Sequence, residues 1–270
     1  MKSPPEIAKA ACDTGCKKVQ LPLVKMFVLA ILAGVYIGFG SQLMTVVTQD
    51  LKTYLGLGFS QFLGGAVFSV GLMLVVIGGA ELFTGNNLIV ISCCNKLASW
   101  KGLLKNWAVV YLGNLVGSLL LASIVFAGFY YSTTDTSGLG LRALSIASAK
   151  VDLNFIAALA RGIGCNWLVC LAVWLAASSD DTIGKIGGIF FPVMAFVALG
   201  FEHSIANMYF IPMGLFMTTL PQYASQASAN LTWPGFLLNN LLPVTIGNII
   251  GGALFVGVLY WYVYVKGQKQ

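Results

Sequence analysis

Histidine occurs once in these 270 residues, and charged side chains make up only 9% of them. A soluble domain carries about a quarter charged residues, so this composition excludes an ordinary soluble fold. A zinc peptidase needs the two histidines of HExxH, which His203 alone cannot supply. A serine-type intramembrane hydrolase fares no better, because the only serine beside the histidine is its chain neighbour Ser204. The six cysteines, Cys12, Cys16, Cys93, Cys94, Cys165 and Cys170, form no framework. They lack the paired CxxC spacing of a zinc site, and packing as small apolar groups accounts for them. No phosphate-cradling loop occurs, so transport through this chain would be driven by gradients. No enzyme activity, metal or cofactor is expected.

What the chain has is apolar length. A bilayer is crossed by about 20 apolar residues, and such runs fall at 26–48, 60–95, 106–131, 153–178, 188–220 and 236–265. The reading is an all-α polytopic protein with six membrane passes in one transmembrane domain, 1–270. The first run follows several lysines and lacks a short apolar core with a small-residue cleavage site, so it reads as a retained membrane helix. Lys2, Lys9, Lys17, Lys18 and Lys25 precede that run, Lys96, Lys101 and Lys105 follow the second, and Lys266 and Lys269 end the chain. The opposite connections carry only Lys52, Arg142 and Lys150. The positive-inside rule therefore places both termini in the cytoplasm. The net charge of +6 reflects this bias and gives no reason to expect nucleic acid.

The chain also repeats itself. "GNLVGSLLL" from Gly113 returns as "GNIIGGALF" from Gly247, 134 residues on. Glu81 and Asn86 return as Glu202 and Asn207, 121 residues on. This divides the chain into an arm, 1–25, a first repeat, 26–135, and a second, 150–265. Three crossings per repeat make the second run in the opposite sense. The second and fifth runs are too long for one untilted helix, and both are interrupted by glycine and polar residues. Irregular backbone at membrane depth survives only where protein buries it or water reaches it. Broken helices at equivalent places in an inverted repeat point to a substrate path at the midplane; two kinked structural helices are the plainer alternative.

"ELFTGNN", "NWLVCLAVW", "FEHSIANM" and "GNIIGGALF", in this order, resemble the formate–nitrite transporter family, and most nearly its bacterial hydrosulfide-channel branch. The resemblance covers nearly the whole chain. It implies an aquaporin-like protomer, a homopentamer in a bacterial cytoplasmic membrane, and one pore per protomer. It also places His203 at the central chamber, Thr84 opposite it and Asn166 nearby.

An intramembrane ionisable residue is functional by default, and imidazole can donate a hydrogen bond to an anion or exchange a proton with it. Otherwise His203 is a neutral residue bonded between helices. Thr84 donates to the same anion or caps its own backbone, and Asn166 orients the imidazole, contacts substrate or bridges helices. Glu81 and Glu202 would repel an anion, so they are expected to accept backbone amides in the breaks, with Asn86 and Asn207 satisfying the broken backbone. Lys150 and Lys25 either concentrate anions, one at each mouth, or anchor helix ends at the interface. Arg161 pairs with an acidic group or faces a subunit interface. By resemblance, Phe68 and Leu72 form an outer constriction, and Leu82 and Phe196 an inner one.

The expected function is an ion channel, passive or proton-linked, for small monovalent weak-acid anions. Hydrosulfide comes first, then formate and nitrite. The partners are these inorganic or carboxylate anions and the lipid bilayer. The alternative is a neutral-solute pore of the water or glycerol type, against which the absence of Asn-Pro-Ala at the breaks argues.

Overall fold

A computed structural model describes residues 1–130 and 137–267. The end of the first repeat, 131–135, and Lys269 therefore lie outside the described residues. Helix α1, Pro4–Val19, is started by Ser3 and Glu6, whose side chain accepts from the Ser3 amide at 2.7 Å, with proline in the first turn. The first repeat then runs through α2 (Leu23–Val47), α3 (Leu51–Gly78), α4 (Phe83–Cys94) and α5 (Trp100–Tyr130). The second begins with α6 (Ser137–Val151) and continues through α7 (Phe155–Ser178), α8 (Thr182–Ala198), α9 (Ser204–Met217) and α10 (Gly235–Tyr264).

Five of these helices, α2, α3, α5, α7 and α10, are long and apolar enough to cross a membrane. Of the six sequence runs, two are split. The second sequence run becomes α3 plus α4 and the fifth α8 plus α9, with non-helical backbone at residues 79–82 and 199–203. Each break begins at a left-handed glycine, Gly79 with φ 81° and Gly200 with φ 70°. A side chain there would strain the backbone. The residues after them turn back alike: the Ala80 amide donates to the Val75 carbonyl at 2.9 Å, and the Phe201 amide to the Phe196 carbonyl at 3.0 Å.

Tight helix pairs hold the breaks in place. Between membrane helices little hydrophobic drive remains, so close backbone approach through small residues takes its place. A Cβ on Gly117 of α5 would lie 2.0 Å from the Ile31 carbonyl oxygen of α2. In the second repeat, a Cβ on Gly251 of α10 would lie 2.2 Å from the Ile163 carbonyl oxygen of α7. The outer surface is apolar: Leu112, Val116, Leu120 and Ile124, one helical turn apart along α5, are all exposed.

Helix α6 was not expected, since 137–151 falls in the connection between the third and fourth apolar runs. It carries Lys150 as α1 carries Lys18.

Candidate functional site

Asparagines from the long helices orient the broken backbone. Asn114 of α5 accepts from the Phe83 amide at 2.9 Å and donates to the Glu81 carbonyl at 2.9 Å. Asn248 of α10 does the same for the Ser204 amide at 2.9 Å and the Glu202 carbonyl at 3.0 Å. Unpaired backbone groups at this depth would each cost several kcal/mol. Two buried side-chain amides remove that cost at both breaks.

Each break also holds an ion pair. Lys18 Nζ meets Glu81 at 2.6 Å, and Lys150 Nζ meets Glu202 at 2.9 Å. The carboxylates accept further from Asn86 at 2.7 Å and from Asn207 at 2.6 Å. Those amides donate in turn to Asn106 and Asn240, which reach back to the carbonyls of Lys18 and Lys150. The expectation for the glutamates is corrected here: the carboxylates accept from lysine and asparagine side chains, while the Phe83 and Ser204 amides go to Asn114 and Asn248.

Two cavities approach the centre. The first, about 450 Å³, is lined by Lys17, Lys18, Glu81, Leu72 and Leu82 among others. The second, about 230 Å³, is lined by Lys150, Glu202, Phe68, Phe196 and His203 among others. Phe68 and Phe196 meet edge to face with ring centroids 5.8 Å apart. Leu72 and Leu82 line the first cavity together, and Phe68 and Phe196 line the second. Phe68 and Leu72 sit one helical turn apart on α3, about 5–6 Å along its axis, so they stand at successive depths. All four are buried, at 2–3% exposure.

The only histidine lines the second cavity. His203 caps α9, with Nδ1 accepting the Ala206 amide at 3.0 Å, and its Nε2 lies 2.9 Å from Thr84 Oγ1 of α4. A backbone N–H can only donate, so Nδ1 is unprotonated. The ring proton therefore sits on Nε2 and is given to Thr84. That leaves the Thr84 hydroxyl hydrogen free to donate. The Phe196 ring stacks beside the imidazole at 5.9 Å. The Asn166 amide bridges helices, donating to the Thr84 carbonyl at 3.2 Å and the Asn248 carbonyl at 2.7 Å rather than to the imidazole.

The family description "Formate/nitrite transporter" matches residues 5–262. The chain belongs to the formate/nitrite transporter family. It is a membrane transport protein and not an enzyme. It is 47% identical over 280 residues to a probable formate transporter of Methanothermobacter thermautotrophicus, covering 98% of each chain. It is 41% identical over 271 residues to the formate channel FocA of Escherichia coli strain K12, covering 97% of this chain and 94% of that one. Among solved structures it resembles a pentameric formate channel with formate bound, with TM-score 0.82 and 43% identity over 90% of this chain and 98% of that one.

Within this family member, Lys25 is exposed at the start of α2 and lines neither cavity. Lys18 stands at the place expected for it. Lys18 and Lys150 are 132 residues apart, close to the other repeat offsets, and that signal was available to find it. Asn114 and Asn248 were also within reach, since each follows the repeated glycine of "GN". Asn106 and Asn240 were within reach too, since they share the same 134-residue offset.

Proposed function

We propose that the chain is a channel for small monovalent weak-acid anions, with formate the first substrate and nitrite and hydrosulfide behind it. The named relatives support formate ahead of hydrosulfide, the substrate expected first from sequence. The observation that carries the reading is the buried His203–Thr84 pair, which we place between a Phe68–Phe196 ring and a Leu72–Leu82 ring. A bare anion is costly in either apolar ring, so passage requires a small ion that becomes neutral. The pair supplies one donor, the Thr84 hydroxyl, polarised by the imidazole behind it.

The proton that neutralises the substrate comes from water in the cavities. With Nδ1 already an acceptor, His203 has only the Nε2 proton, and losing it would leave an imidazolate. The imidazole is therefore a hydrogen-bond donor through Thr84, not an acid. The two ion pairs fix the breaks and keep each glutamate from presenting bare charge to the anion. The protomers assemble as a homopentamer in the cytoplasmic membrane with both termini cytoplasmic, which the similar pentameric structure and the lysine bias support. The first cavity then opens to the cytoplasm.

Liposome flux of formate, nitrite, hydrosulfide, chloride and glycerol tests this. The three weak acids should pass and chloride and glycerol should not. Thr84→Val should lower formate flux about ten- to a hundredfold, the scale of one hydrogen bond to a charged group, while Thr84→Ser retains most of it. Fast glycerol flux, or an unaffected Thr84→Val, would sink the reading.

A further inference from the structure

The two cavities are built by equivalent residues, yet one equivalence is broken. The Leu29 carbonyl accepts the Glu81 amide at 3.2 Å, and the Arg161 carbonyl accepts the Glu202 amide at 3.3 Å. Leu29 and Arg161 therefore occupy the same place in the two repeats, on α2 and α7. Both line their cavities, so the second mouth carries a guanidinium where the first carries an isobutyl group. A second arginine, Arg142 of α6, lines the same mouth and spends one donor on Thr48 Oγ1 at 3.1 Å. Among the described residues the ion pairs are Lys2–Asp180, Lys18–Glu81 and Lys150–Glu202, so neither guanidinium has a carboxylate partner. Lys150, by contrast, is neutralised by Glu202.

From this asymmetry we propose that Arg161, with Arg142, forms a docking subsite at the second mouth for planar anions bearing two oxygens on one atom. Formate and nitrite are such anions. A guanidinium offers parallel N–H donors that two oxygens can accept together, a geometry an ammonium lacks. Hydrosulfide has a single heavy atom and gains only the charge attraction. The subsite holds its anion ahead of the Phe68–Phe196 ring and raises its local concentration there. It also makes the two mouths inequivalent: the second selects by shape, whereas at the first Lys17 attracts by charge alone, Lys18 being paired with Glu81. This inference rests on the channel reading above.

Right-side-out cells and inverted vesicles from the same culture present opposite mouths, and initial rates against concentration give the half-saturating level for each anion. Arg161→Leu, which copies the first mouth, should raise the half-saturating formate concentration about fivefold from the second-mouth face, the scale of one solvent-exposed charge contact. From the other face it should be unchanged, and the saturating rate should be retained. Arg161→Lys should restore hydrosulfide but not formate, because it returns the charge without the fork. An unchanged formate value on both faces, an equal shift on both, or a fall in saturating rate alone would overturn the subsite. A wild-type chain that moves none of the three anions would overturn the channel reading itself.

Discussion

At the scale of single residues, the lysines and glutamates of the breaks are strongly interdependent. The Lys150 and Glu202 side chains are 14% and 6% exposed, and Glu202 also takes bonds from Asn207 and Asn240. Removing one member of a buried pair leaves an uncompensated charge, which costs about 3–5 kcal/mol. Lys150→Ala should therefore lower thermal stability in detergent sharply, and the double change Lys150→Ala with Glu202→Ala should recover much of the loss. If Lys150→Ala unfolded at the wild-type temperature, its role would be limited to attracting anions, as a lone mouth lysine would do. Composition alone exposed His203, because a single histidine inside an apolar run has few uses. It did not reveal which nitrogen is occupied, since that depends on an amide three residues on, placed by the helix His203 itself caps.

At the scale of elements, the breaks depend on backbone conformations that only glycine adopts freely. Gly200 ends α8 in the left-handed region, with open space where a side chain would go. Gly200→Ala should thus cost about 1–2 kcal/mol through the backbone alone, read as a lowered melting temperature with transport selectivity unchanged. Loss of selectivity without loss of stability would contradict this account of the break. The six apolar runs, the two breaks and the repeat were legible because hydropathy and self-similarity are properties of contiguous sequence. Helix α6 was not, because a helix of 15 residues with Arg142 and Lys150 has no membrane-length run to betray it. The contact of Phe68 with Phe196 was equally hidden: they meet only once α3 and α8 are packed, with Gly65 of α3 close against the Met194 carbonyl oxygen of α8.

At the scale of the whole molecule, two cavities approach a neutral donor pair, and the inverted repeat supplies the frame. The repeat is imperfect where chemistry requires it. At the 121-residue offset His203 falls on Leu82, so one half contributes the titratable ring and the other an apolar gate. The central claim is that His203 assists passage without giving up a proton. Its most direct test is the pH profile of formate flux in liposomes for wild type and His203→Asn. Asparagine keeps the helix cap but cannot titrate and is too short to replace the ring against Thr84. Wild-type flux should climb as the pH falls from about 7 to about 5, the window in which an ordinary imidazole would titrate. The variant should be slower at every pH yet climb with the same profile, because cavity water supplies the proton. A variant whose flux no longer responds to pH would show that the proton comes from His203, and the account would be wrong.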